Sequence, residues 1–228
     1  MVKLNDTKML EKVNSFTQKE LTLDDVYIYN VRLCDNDIDR DYECFADNSL
    51  TELQKLFVGK TGIFDHNASA SKQVSRIFDT EVVSDNSKLT IDGRPYKWLK
   101  GYAYMMKTPT NADLIKEIDG GIKKEVSISC SAQSHKCSIC GMDKFKNPCS
   151  HLKNKHYSGK LCYTILGDIT DAYEWSFVAV PAQVNAGVTK RFVLDNNSCK
   201  NEDTIKSNIQ NIQIRVEVLR KKGVQYEY

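Results

Sequence analysis

The sequence predicts an α+β protein: a mainly antiparallel β-barrel flanked by helices, with a small Cys/His zinc-knuckle-like insertion. Three observations carry this. Runs rich in β-branched and aromatic residues recur along the chain, as in VYIYNVRL (26–33) and AYEWSFVAV (172–180), and read as strands. Few helical stretches separate them, and the connections are too irregular for a βαβ fold, so closing an antiparallel sheet is the simplest way to hide its edges. Finally, Lys124 to Gly159 begins as an alternating strand and runs into a dense cluster of metal-ligand residue types. It holds three of the four histidines, His135, His151 and His156, and Cys137, Cys140 and Cys149 among the eight cysteines.

Taken in order, residues 1–21 read as a polar N-terminal arm or frayed helix. Val26 to Leu33 is a strand, followed by a polar turn at Asp35-Asn36-Asp37. Ser49 and Glu52 fit a capping box ahead of Leu50, Leu53, Leu56 and Phe57 at helical spacing, with Gly59 placed to end that helix. Ile63 and Phe64 lead into an Asp65-His66 pair at a strand end. Strands are predicted over 74–83 and 96–106, with turns at Ser84 to Ser87 and Asp92-Gly93. A short helix starts near Thr110 and stops at Gly120-Gly121.

From Glu125 to Ala132 the pattern alternates, with Val126, Ile128 and Cys130 on one face and Ser127, Ser129 and Ser131 on the other. After the insertion (133–159), strands are expected over 161–166 and 172–180. In the second, Tyr173, Trp175, Phe177 and Ala179 share a face, and Pro181 ends it. Residues 22–190 thus make the main domain. Beyond them lie a polar linker and a C-terminal amphipathic stretch, with Ile205, Ile209, Ile212, Val216 and Leu219 at heptad spacing.

The bulk properties narrow the function classes. A net charge of +2 offers no electrostatic footprint for nucleic acid. No apolar run approaches the roughly 20 residues that span a bilayer, and the first residues have no apolar core of a signal peptide. The expectation is a cytosolic chain with reduced thiols. Cys34, Cys44, Cys162 and Cys199 are scattered and read as buried or inert thiols.

In the insertion, Cys137-Ser-Ile-Cys140-Gly forms a tight turn that aims two sulfurs at one point. Cys149 and His151 supply two more donors, and the Cys₃His set suits a closed, structural Zn²⁺ site. His156 is the rival for the fourth place, and His135 stands behind both. The metal would order a lysine-rich loop with almost no apolar residues to pack.

Two serines on one strand and a solitary upstream histidine suggest a second chemistry. A serine hydroxyl becomes a nucleophile only when a base takes its proton, and a neutral imidazole oriented by a third group does so near pH 7. The ordered set GIFDHN (62–67), KEVSIS (124–129) and YEWSFVAVPAQVNAG (173–187) resembles the prohead, or capsid-maturation, serine proteases of tailed phages, whose fold is similar to herpesvirus assemblin, a β-barrel ringed by helices.

The resemblance spans roughly residues 22 to 190. It implies that His66 is the general base, Ser127 the nucleophile and Glu174 the acidic member. Ser129 stands where the family commonly has Gly and shares the face of Ser127. Asp171 and Asp65 are the alternatives to Glu174. The Cys/His insertion lies outside the family pattern.

The resemblance further implies a serine endopeptidase that cleaves phage scaffold and major capsid proteins, and itself, in the host bacterial cytoplasm inside assembling proheads. The 190–205 linker would be a self-cleavage region, and the C-terminal stretch would target the scaffold or self-associate. The rival expectation is a non-catalytic, zinc-stapled capsid-assembly protein.

Overall fold

A computed structural model describes residues 4–191; the expected linker and C-terminal amphipathic stretch lie outside the described residues. The elements are α1 (Leu4–Asn14), β1 (Val26–Asp35), β2 (Glu43–Phe45), α2 (Asp47–Leu56), β3 (Thr61–Phe64), β4 (Ser75–Leu89), β5 (Pro95–Met106), α3 (Ala112–Asp119), β6 (Val126–Cys137), β7 (His156–Tyr157), β8 (Lys160–Leu161), β9 (Thr164–Phe177) and β10 (Gly187–Arg191). The class is α+β with strands dominant, as the sequence predicts. None of the described helices is long and apolar enough to cross a membrane.

One sheet carries the fold, in the order β10-β1-β5-β4-β3-β9-β2, with β6 also paired to β9. Most pairings are antiparallel, but β3 and β2 run parallel to β9. β9 is the spine. Its second half takes β3, its first half takes β2, and β6 runs antiparallel along it from Val126–Phe177 to Cys137–Thr164. Ahead of β6, Glu125 forms an antiparallel bridge with Gly187 of β10, and Val188 N–H donates to the Lys124 carbonyl at 2.8 Å. A Cβ on Gly187 would sit 2.8 Å from that carbonyl oxygen, so only glycine lets the two backbones approach.

The larger core cluster lies on one face of this sheet, and a smaller one, with Val26, Ile28, Phe78 and Tyr104, packs against Val13 of α1. In the larger cluster Trp175, Phe177 and Val126 pack with Tyr29, Leu99 and Ile77, and α2 adds Leu50 and Leu53, all buried. Burial of large side chains such as Trp175 gives the sheet its main driving force.

Several local expectations are corrected. Ser49 and Glu52 form no capping box. Helix α2 starts at Asp47 after Ala46, with no side-chain cap. Instead the Ser49 hydroxyl donates to the Leu166 carbonyl, and Glu52 Oε2 accepts the Ile169 N–H at 2.8 Å. Both residues fasten the helix to β9, a tertiary use of groups that local spacing assigned to the helix itself. The expected turn at Ser84 to Ser87 is absorbed within β4 as a register shift between Asp85 and Leu89. Asp85 satisfies the Ser87 N–H and hydroxyl locally, so the reversal waits until Thr90–Arg94, where Gly93 adopts φ +84°.

The two strands expected over 161–166 and 172–180 are one strand, β9, ending at Phe177 rather than Val180. Register shifts against β6 leave Thr170 and Tyr173 as extra residues. A bulge resets the inside–outside alternation. Tyr173, expected beside Trp175, is therefore 54% exposed while Trp175 is fully buried.

Candidate active site and metal centre

His66 follows β3 in a turn that its own sequence does not favour. Asp65 and His66 adopt φ of +51° and +53°, a region costing roughly 1–2 kcal/mol for a residue with a Cβ. Three backbone bonds hold the turn. Asp65 N–H donates to the Phe177 carbonyl, Asn67 N–H to the Phe64 carbonyl, and His66 N–H to Ser176 Oγ at 3.0 Å. Strain of this kind in a non-glycine residue concentrates at functional sites.

The turn brings the imidazole onto β9. His66 Nδ1 lies 2.7 Å from Glu174 Oε1, with the His side chain 42% exposed and the Glu side chain 10% exposed. Glu174 Oε2 accepts the Ser176 hydroxyl at 2.7 Å. With the carboxylate on Nδ1, a neutral ring carries its proton there and leaves Nε2 as the basic nitrogen. The other two acidic candidates are engaged elsewhere or unpaired with this ring: Asp171 takes Lys60 and the Ala172 N–H, and the carboxylate on His66 Nδ1 is Glu174 rather than Asp65.

The serines arrive from the other side of β9. Ser127 of β6 lies directly across from Ser176, and Ser129 directly across from Glu174. Opposed residues of an antiparallel pair project to the same face, with Cα atoms about 5 Å apart. Three neighbouring strand segments thus bring together His66, Ser127 and Ser129, and Glu174 and Ser176, from three stretches well separated along the chain. Beside the serines opens a cavity of roughly 260 Å³. Leu33, Phe45, Leu166 and Ala186 give it apolar walls, and Glu43 is among its polar lining residues. Sequence reasoning missed Ser176. The signal was present, since Ser176 stands two residues after Glu174 and so shares its face.

The metal-ligand cluster forms at the far end of the same strand pair. Cys137 ends β6, and its carbonyl accepts Gly141 N–H while its N–H donates to the Met142 carbonyl. Gly141, at φ +73°, makes this tight reversal possible. The carboxylate of Asp143 fastens the next turn by accepting the N–H groups of His135, Phe145 and Lys146. Ligand atoms of Cys137, Cys140, Cys149 and His151 all lie within 4.8 Å of one another, so this group can hold a metal ion.

The chemistry fits the geometry. Burial raises the Cys137 thiol, but N–H groups of Cys140 and Ile139 and the neighbouring Cys149 and Cys140 outweigh it, bringing the thiol down to about 6. Burial pushes Cys130 up to about 11 and Cys44 up to about 12, and raises Cys34 as well. His151 Nδ1 is buried with no hydrogen-bond partner among the described residues, and its ring stands edge-on to Tyr157 at 4.5 Å.

The rival donors lie elsewhere. His156 sits exposed in β7, and the His135 ring packs edge-on against Phe145 at 4.4 Å. Of the scattered cysteines, Cys34 and Cys44 are buried as expected, and Cys199 is outside the described residues. Cys162 differs from that expectation: it is buried, but its sulfur lies 3.9 Å from that of Cys137. Lys153 of the insertion pairs with Glu43 at 2.9 Å, tying the insertion to a residue that lines the cavity.

No family model, no curated protein and no solved structure matches this chain.

Proposed function

We propose that the chain is a serine endopeptidase acting by acyl transfer, with His66 as general base, Ser127 as nucleophile and Glu174 as the residue that orients the imidazole. The contact of His66 Nδ1 with Glu174 Oε1 at 2.7 Å carries the reading. Ser127 Oγ attacks a peptide carbonyl as His66 Nε2 takes its proton. The tetrahedral adduct collapses, and the imidazolium returns that proton to the departing amine. Water, deprotonated by the same nitrogen, then releases the acyl group and regenerates the serine. Ser129 occupies the same face and is the second candidate nucleophile. The cavity beside both serines would seat a substrate side chain.

Closure of the sheet into a barrel belongs to the same proposal, supported by the Glu125–Gly187 bridge that links the start of β6 to β10. The metal is proposed to be Zn²⁺, held by Cys137, Cys140 and Cys149 and a fourth donor, for which the expected His151 lies within reach. Three sulfurs and one imidazole nitrogen favour that ion, and bound zinc supplies a structural cross-link rather than catalysis.

The resemblance to prohead proteases supports the biological setting: cleavage of phage scaffold and major capsid proteins, and of the chain itself, inside assembling proheads in the bacterial host. Co-expression with those proteins tests it, beside His66→Ala and Ser127→Ala versions, reading cleavage by intact mass. The expected result is cleavage by the unaltered chain and none by either variant. Absence of cleavage by folded, metal-loaded chain would overturn the enzyme reading in favour of a zinc-stapled assembly protein.

A further inference from the structure

The fourth place in the metal centre has a second claimant. Cys162 stands outside the Cys/His insertion, in the short link between β8 and β9. Its sulfur is 3.9 Å from Cys137 Sγ. Four thiolates around a tetrahedral zinc, with Zn–S near 2.3 Å, stand about 3.8 Å apart along each edge. The Cys137–Cys162 separation matches that of two sulfurs sharing one metal, although the group whose ligand atoms all lie within 4.8 Å of one another holds His151, so Cys162 would close in on Cys140 and Cys149 as the metal binds. It is well beyond the roughly 2.05 Å of a disulfide.

The backbone places Cys162 without help from a metal. Its N–H donates to the Lys155 carbonyl at 2.8 Å and its carbonyl accepts Asn154 N–H at 2.9 Å. Next to it, Ser138 N–H donates to the Tyr163 carbonyl and Ser138 Oγ accepts Tyr163 N–H. Cys162 is thus pinned beside the first turn of the insertion, with its side chain fully buried. A buried thiol held against a metal-binding sulfur is positioned to ligate.

We infer that Cys162 is a thiolate ligand of the metal, so that the centre is built from Cys137, Cys140, Cys149 and Cys162. On binding, Cys162 loses its S–H proton to solvent and forms the fourth metal–sulfur bond. His151 then stays beside the centre, and its buried Nδ1 carries a proton donated to one of the ligating sulfurs. This gives that nitrogen the partner it otherwise lacks.

The consequence is mechanical. With His151 as fourth ligand, only Cys137 ties the metal to a strand of the main sheet. With Cys162, the metal also grips the residue two before β9, and so clips together the ends of β6 and β9, the two strands that carry Ser127 and Glu174. The inference rests on the metal-centre reading above: it keeps Cys137, Cys140 and Cys149 and puts Cys162 in the place of His151.

Zinc K-edge X-ray absorption on the full chain loaded with Zn²⁺ tests it without any substitution. Four sulfur neighbours near 2.3 Å are expected; three sulfurs with one nitrogen near 2.0–2.1 Å would overturn the inference and leave the metal centre standing. The Co²⁺-loaded chain gives a second readout. Cys162→Ser should remove about a quarter of the thiolate-to-cobalt absorption, one bond of four, whereas His151→Asn should leave that absorption unchanged. An absorption left unchanged by Cys162→Ser would overturn the inference. Failure of the chain to take up either ion would overturn the metal centre and this inference together.

Discussion

Ser176 donates its hydroxyl hydrogen to Glu174 Oε2 at 2.7 Å, while its oxygen accepts the N–H of His66 at 3.0 Å. One fully buried hydroxyl therefore fixes both the carboxylate that faces the imidazole and the strained backbone that carries the imidazole. Ser176→Ala should leave two groups unsatisfied, at a cost of roughly 1–3 kcal/mol each if they stay dry. The expected result is a lower melting temperature together with a fall in kcat that exceeds any rise in KM. A change in stability alone would restrict Ser176 to a structural role.

Glu174→Gln keeps the shape but removes the charge that favours Nδ1–H and stabilises imidazolium. In an imidazole–carboxylate pair of this design the loss in kcat is on the order of 10⁴-fold. Steady-state cleavage of a peptide substrate measures it, with Asp171→Asn as the comparison expected to retain activity because Asp171 contacts Lys60 instead.

Ser127 and Ser129 separate cleanly by substitution. Ser127→Ala should abolish covalent labelling by a fluorophosphonate, while Ser129→Ala should retain it, read as the mass increment on the intact chain. The opposite pattern would move the nucleophile to Ser129, across the ladder from Glu174 rather than from Ser176.

Gly62→Ala probes how tightly β3 is seated. An added Cβ would lie 2.4 Å from the Trp175 ring, and that ring is fully buried in the core. Overpacking of this kind costs roughly 1–3 kcal/mol. The variant should unfold at lower denaturant concentration and should lose activity as well, because the displaced strand carries His66.

Acid should release the metal. The Cys137 thiol, brought down to about 6 in the metal-free chain, is ionised above that value and protonated below it. Protons and metal compete for the same sulfur, so affinity should fall steadily as the pH drops through 6. A chromophoric chelator followed from pH 8 to pH 5 reads this, and affinity independent of pH over that range would contradict it.

Much of the site was legible in residue order. His66 and Ser127 were marked by the resemblance that the ordered segments GIFDHN, KEVSIS and YEWSFVAVPAQVNAG carry, since a lone histidine or a strand serine has no distinguishing spacing of its own. Cys137 and Cys140 are separated by two residues and followed by Gly141. Ser176 was legible in principle, being two residues from Glu174, but a serine on a strand has no distinguishing spacing. Cys162 was not legible. Twelve residues separate it from Cys149, and only the hairpin of β7 and β8 folds it back onto Cys137.

The sequence by itself determined the local elements and their chemistry: the strands, the knuckle turn and the residue types able to act as base, nucleophile and ligands. These follow from side-chain periodicity and backbone preference, which act within a few residues. Only the tertiary structure decided that Ser49 and Glu52 serve β9 rather than their own helix, that 164–177 is a single bulged strand, and that Glu174, not Asp171 or Asp65, meets His66. Each of those outcomes depends on strand register. Register is set by the burial of Trp175, Phe177 and Val126 together, a property of the assembled sheet that no short stretch of the chain contains.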